Sequence, residues 1–110
     1  MEAVAARMAG RAPQTAVRCA YLELTAPDLS TAAADLARSG AHAVTVVPMF
    51  LGIGKHVRDD LPALMERLRA QFPAVVFTLQ QAVGEDARLL DLLARIALGL
   101  SDGRQPGSSD

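Results

Sequence analysis

The 110-residue sequence has one cysteine and no surplus of basic residues. A single cysteine cannot form an internal disulfide, and Cys19 lies in an apolar run, so we expect a reduced, cytoplasmic setting. Lys and Arg total 11 against 12 Asp and Glu. Because no basic excess is present to neutralise phosphates, we expect no nucleic-acid partner.

Long apolar runs and nucleotide-binding motifs are also absent. The longest uninterrupted apolar stretch is too short to span a bilayer, so we expect no membrane insertion. Residues 1–11 have no continuous apolar segment of the kind found in signal peptides. The sequence G-I-G-K-H at 52–56 lacks the G-x-x-x-x-G-K-[ST] spacing of a phosphate-binding loop.

Apolar residues make up 51 % of the chain and charged residues 21 %, enough for the core of one small domain. Helical and strand-like segments alternate. The predicted strands are Val17–Leu24, Ala43–Leu51 and Ala74–Leu79, and the predicted helices are Glu2–Gly10, Asp28 or Ser30 to about Ser39, Asp59 or Asp60 to about Gln71, and Asp86–Leu98. This order is typical of an α/β domain with a parallel sheet. It covers residues 1–99, and residues 100–110 form a polar tail that we expect to be flexible.

Two chemically suited side chains follow predicted strands. In open parallel sheets, ligands bind beyond the carboxyl ends of the strands. Glu23 lies one residue from the end of the first strand and His56 follows the second, so both face one edge and suit a metal site or a proton-transfer pair. The alternatives are an exposed strand-end carboxylate and a solvated loop histidine. His42 precedes its strand and is expected on the surface at the other edge.

The residues around His56 allow more than one interpretation. Met49 and Phe50 either belong to the core or line an apolar pocket at the strand end. Gly52 and Gly54 permit a tight turn. Glu85 and Asp86 are expected to cap the last helix, whose leucines and isoleucine form a broad apolar face.

Three stretches together resemble the small sirohydrochlorin cobaltochelatase/ferrochelatase family (CbiX/SirB type), which inserts cobalt or ferrous iron into a tetrapyrrole. They are A-Y-L-E-L-T-A-P-D-L at 20–29, V-V-P-M-F-L-G-I-G-K-H-V-R-D-D-L-P at 46–62 and G-E-D-A-R-L-L-D-L-L at 84–93. The middle stretch is the most specific, because it joins a strand end, a glycine-rich loop, a histidine and a helix cap.

The resemblance implies a three-layer, chelatase-like (flavodoxin-like) half-domain that forms a homodimer. It implies Co²⁺ or Fe²⁺ as substrate metal, a sirohydrochlorin-type tetrapyrrole as the other substrate, and no organic cofactor. By position, Glu23 and His56 bind the metal and remove protons. The residues implied to contact the ring are Met49, Phe50, Leu51, Gly52 and Gly54, with Lys55, Arg58 or Arg88 meeting its carboxylates.

One feature of the family has no counterpart in this sequence. The family begins with a strand that ends in a histidine-containing motif, whereas this chain begins within the following helix. The resemblance therefore implies an N-terminally truncated half-domain. It also leaves an alternative function, a non-catalytic metal- or tetrapyrrole-binding protein or partner subunit.

Overall fold

The computed structural model describes residues 1–21, 27–51 and 55–100, and the side chains of residues 55–58 lie outside that description. Its elements are α1 (Glu2–Arg11), α2 (Leu29–Arg38), β1 (Ala43–Val46), α3 (Lys55–Gln71), β2 (Val76–Leu79), a 3₁₀ turn (Val83–Glu85) and α4 (Ala87–Ala97). The α/β fold with a parallel sheet, predicted from the alternation of segments, is confirmed. The predicted flexible tail lies outside the described residues from 101 onward.

The described sheet consists of β1 and β2, which pair in parallel with Ala43 opposite Val76. Side chains alternate between the two faces of a strand. Val44 and Phe77 are buried on one face, whereas Val76, on the other, is 65 % exposed. Helices α2 and α3 pack against each other and on this sheet, so the core lies between them and the face of Val44 and Phe77.

The core depends on the regular spacing of apolar residues along α3. The predicted buried face of this helix is confirmed: Leu61 and Leu68 are buried, and Leu64 and Phe72 are partly buried. Met65, between them, is only 1 % exposed. Spacings of three, four and seven residues place these side chains along one stripe of the helix, which therefore holds α3 against the sheet.

Both ends of α2 are formed by residues that the sequence predicts for them. The Asp28 side chain accepts a hydrogen bond from the Thr31 backbone N–H at 2.8 Å and so begins α2. Hydrogen bonds from the side chain and backbone of Thr31 lower the pKa of Asp28. Gly40 follows α2 with φ of +99°, a left-handed conformation that glycine adopts without steric cost.

The predicted strand Val17–Leu24 does not form in its described part, which ends at Tyr21. Residues 17–20 have no regular secondary structure, and Tyr21 makes a single isolated bridge to Asp28. Strand propensity is realised only beside a paired neighbour, and among described strands β1 pairs with β2 alone. Cys19 is accordingly half-buried in an irregular segment instead of buried within a strand.

Two predicted boundaries are also wrong. Strand β1 ends at Val46, five residues early, because Pro48 has no N–H for a continuing ladder. Helix α3 begins at Lys55, before the predicted Asp59 or Asp60, and runs through Pro62. Proline is common in the first turn of a helix, which makes the residues just before Pro62 look like a helix start.

Helices α1 and α4 contain no buried residue. Among the described elements, α4 contacts only the 3₁₀ turn that precedes it. No helix in the described part of the chain combines the length and the apolar character required to cross a membrane.

Candidate functional site

A cavity of about 290 Å³ opens at the carboxyl ends of β1 and β2. This is the edge at which open parallel sheets bind ligands and at which the sequence predicts a site. The walls come from the ends of both strands, from α3 and from the 3₁₀ turn, with the lining residues Pro48, Leu61, Pro62, Leu79, Gln80, Gln81, Ala82 and Glu85. The cavity therefore combines apolar walls with two amides and one carboxylate.

The segments that follow the two strands are joined by backbone hydrogen bonds. The N–H of Gln80 donates to the Val46 carbonyl at 2.9 Å, and the N–H of Val83 donates to the Pro48 carbonyl at 3.0 Å. A third bond, from the Gly84 N–H to the Phe50 carbonyl, measures 2.9 Å. Pairing thus continues past the ends of β1 and β2, and these bonds fix the relative positions of two cavity walls.

His56 lies in the first turn of α3, not in the loop predicted for it. It precedes the cavity residue Leu61 by five positions, about 7.5 Å along a helix axis. The backbone of His56 is therefore near the cavity and at the carboxyl edge of β1. Its side chain lies outside the described atoms, so its role as a metal ligand stays a prediction.

Glu23 lies outside the described residues, as do Gly52 and Gly54. The flanks of its segment are described: the Tyr21 N–H donates to the Pro27 carbonyl at 2.9 Å. Tyr21 also lines a second cavity of about 170 Å³ together with Leu64 of α3. The segment carrying Glu23 therefore begins beside α3, about one turn beyond Leu61. Its meeting with His56 stays a prediction.

The predicted ring-contact residues of the described part follow β1 directly. Met49 and Phe50 are half-buried, and Leu51 is 68 % exposed. Leu51 is therefore the one of these three most accessible to an apolar ligand. Their contact with a ring stays a prediction.

Other cavity residues were given no site role by the sequence. Gln80 and Gln81 stand directly after β2, and that position was the only signal for them. Glu85 was expected to cap the last helix together with Asp86. Only Asp86 does so, because its carboxylate accepts from the Arg88 N–H at 2.8 Å, while Glu85 lines the cavity.

Asp86 also forms an ion pair with Arg88, one of the cations predicted to meet the carboxylates of the ring. Its Oδ2 lies 2.7 Å from Nη2 of Arg88. Hydrogen bonds from the Arg88 side chain and backbone, with the nearby guanidinium charge, lower the pKa of Asp86 to about 2. Arg88 is therefore paired at the start of α4, beside the 3₁₀ turn.

Asp86 should make the stability of the protein depend on pH in the acid range. A carboxyl group with a lowered pKa in the folded state stabilises it above the unfolded pKa, here 3.8, and loses that contribution as pH falls through about 2. We expect the stability difference between the wild type and Asp86→Asn to be largest above pH 4 and to shrink steadily as pH falls from 4 to 2, as measured by urea unfolding. The variant Arg88→Gln keeps the Asp86 carboxylate and its hydrogen bond from the backbone N–H of residue 88. Its stability should therefore retain part of the pH dependence of the wild type. A gap independent of pH between 2 and 5 would contradict this assignment.

No group of three or more His, Cys, Asp and Glu side chains suited to a metal ion occurs among the residues that the structure describes. Both predicted ligands lie outside the side chains covered by that search. His42 is exposed just before β1, at the amino edge, as the sequence predicts.

Comparisons with known proteins agree with the predicted resemblance. The sequence model of the CbiX family matches residues 1–97. A solved CbiX protein from Marinobacter aquaeolei VT8 is 30 % identical, with a TM-score of 0.71 over 89 % of this chain and 82 % of that one. The sirohydrochlorin cobaltochelatase of Sulfurisphaera tokodaii is 27 % identical over 70 % of this chain and 61 % of its own.

A plant relative is the chloroplastic sirohydrochlorin ferrochelatase of Arabidopsis thaliana. It is 30 % identical over 77 residues, which are 70 % of this chain and 34 % of the relative. The chain thus spans about three fifths of the archaeal relative and about a third of the plant one.

Proposed function

The chain belongs to the CbiX family, and from this premise we propose that it inserts Co²⁺ or Fe²⁺ into sirohydrochlorin. Relatives named as cobaltochelatases and ferrochelatases support both the substrate and the reaction. The observation that carries the proposal is the cavity at the carboxyl edge of the sheet, with the backbone of His56 one to two helical turns from Leu61 in its wall.

The reaction exchanges protons for a metal ion. The macrocycle binds over the cavity, a divalent ion enters its four-nitrogen centre, and two pyrrole N–H protons leave. The two positive charges that enter equal the two that depart. The site must therefore hold a cation, accept protons and bind an anionic ring.

His56 is the proposed metal ligand. A neutral imidazole binds Co²⁺ and Fe²⁺ well, and it releases the ion without adding charge to the site. Its place at the beginning of α3 puts it on a rigid element, and rigid elements hold functional groups more accurately than loops do.

Glu23 is the proposed proton acceptor. Its carboxylate takes the pyrrole protons one at a time, passes them to water and offsets the charge of the incoming ion. Tyr21 and Pro27 are joined by a 2.9 Å hydrogen bond, so this residue sits in a segment whose two ends are held together.

The remaining cavity residues fit an anionic macrocycle. The side-chain amides of Gln80 and Gln81 each provide two N–H donors for its peripheral carboxylates. Leu51 offers exposed apolar surface for the ring, and Pro48 and Leu61 form apolar walls. Arg88 is already paired with Asp86. We therefore propose that the amides of Gln80 and Gln81, and not Arg88, bind the carboxylates of the macrocycle.

We also propose that the active form is a cytoplasmic homodimer. Helix α4 exposes Leu90 and Ile96, and Leu98 directly after it is also exposed; a second copy would cover such apolar area. Sedimentation equilibrium should give twice the mass of one chain, whereas the mass of one chain would refute the dimer.

The proposed reaction is tested by mixing the 110-residue protein with Co²⁺ and sirohydrochlorin and following the visible spectrum of the macrocycle. We expect insertion faster than the spontaneous rate. Binding of both substrates without faster insertion would replace the proposal with the non-catalytic binding protein. If the protein neither binds the two substrates nor accelerates insertion, both functions are refuted for this chain.

A further inference from the structure

We propose that Gly84 is a positioning residue that holds the loop between β1 and His56 in place. The inference rests on the proposed function for the role of His56, while the loop contact itself is independent of it. This loop runs from the end of β1 at Val46 to the start of α3 at Lys55. Its described part is residues 47–51, so whatever fixes these residues fixes the described part of the chain that leads toward His56.

Two hydrogen bonds from the segment after β2 hold the described half of the loop. The Val83 N–H donates to the Pro48 carbonyl at 3.0 Å, and the Gly84 N–H donates to the Phe50 carbonyl at 2.9 Å. Both acceptors lie beyond the last ladder residue of β1. The described half of the loop is thus attached through backbone groups to the segment that follows β2.

The backbones approach too closely here for any side chain at position 84. A Cβ on Gly84 would stand 2.6 Å from the Leu51 Cα and closer still to the Leu51 carbonyl carbon and oxygen. Ordinary contacts of this kind measure 3.4–4 Å. Because the colliding atoms belong to the backbone, no rotamer change relieves the clash, and the backbone of Leu51 or of residue 84 must move.

The other described glycines have different requirements. Gly10, Gly40 and Gly99 have no atom within 4 Å of a built Cβ, and Gly40 and Gly99 have left-handed φ angles. Gly84 has no positive φ, so its requirement is close approach to Leu51 and not backbone conformation. This makes Gly10 a suitable control position.

Displacing Leu51 affects both sides of the candidate site. Leu51 precedes His56 by five residues, and Gly84 belongs to the 3₁₀ turn that places Glu85 in the cavity wall. A misplacement of about 1 Å can lower catalytic rates by about 100-fold. Because position 84 has no side chain, Leu51 keeps its place, and the loop in turn positions His56. Gly84 thus acts without contacting the metal or the ring.

The test compares Gly84→Ala with Gly10→Ala. We measure kcat/KM for Co²⁺ insertion and, without macrocycle, the visible absorption spectrum of bound Co²⁺, which reports its ligands. Gly84→Ala should lower kcat/KM by about 100-fold and change the Co²⁺ spectrum, while Gly10→Ala should match the wild type in both. A wild-type spectrum and rate in folded Gly84→Ala would overturn the proposal.

A measurement on the wild type keeps the proposal falsifiable if Gly84→Ala does not fold. The amide protons of Val83 and Gly84 should exchange with solvent as slowly as that of Gln80, which bonds to Val46. Fast exchange at both positions would refute the loop contact. A wild type that binds no Co²⁺ and inserts none would instead refute the proposed function, with slow exchange still supporting the contact.

Discussion

Replacing Glu23 with glutamine should slow Co²⁺ insertion into sirohydrochlorin by about 100- to 10,000-fold, the range measured for loss of a positioned acid or base. Glutamine keeps the size of the side chain and removes its capacity to accept a proton. His56→Ala should lower kcat/KM by at least about 100-fold, because loss of a metal ligand should cost no less than the loss of a residue that only orients one. Initial rates from the visible spectrum provide both values.

The control for these variants is His42→Ala. His42 is the other histidine of the chain, and it is exposed at the amino edge of β1, away from the cavity. Its loss should leave the rate unchanged. Because groups that act together are not additive, the double variant of Glu23 and His56 should be little slower than Glu23→Gln. Wild-type rates in both single variants would remove these residues from the site.

The second large effect concerns stability. Met65→Ala should lower the free energy of unfolding by about 2–5 kcal/mol, since it leaves a cavity between α3 and the sheet. Met65 is 1 % exposed and belongs to the cluster of Ala33, Val44, Leu68 and Phe77. A loss of this size is a large part of the total stability of a small domain, about 5–15 kcal/mol.

Met8→Ala makes the same chemical change outside the core. Met8 is 43 % exposed on α1, so its replacement should change the free energy of unfolding by no more than about 0.5 kcal/mol. Urea unfolding with linear extrapolation measures both values. Equal losses in the two variants would contradict the placement of the core.

The features that the sequence predicted correctly depend on local patterns. The spacing of Leu61 and Leu68 identified the buried face of α3, and Asp28 and Gly40 marked the ends of α2. Each of these signals acts within a few residues along the chain. The alternation of such segments was enough to identify an α/β fold.

The errors arose where distant parts of the chain decide the structure. Val17 and Tyr21 have strand-forming side chains, but their segment has no described strand beside it. Pro62 lies inside α3, where a local pattern indicates a helix start. The contact between Gly84 and Leu51 joins segments that follow different strands, so spacing along the sequence gives no sign of it.

The proposed reaction requires a carboxylate and an imidazole that meet above the carboxyl edge of the sheet and hold a divalent ion. Crystals grown with Co²⁺ and measured at the cobalt absorption edge test this directly. We expect an anomalous peak within bonding distance of a ring nitrogen of His56 and a carboxylate oxygen of Glu23, beside Leu61. A structure with these two side chains at opposite edges, and cobalt bound elsewhere, would contradict it.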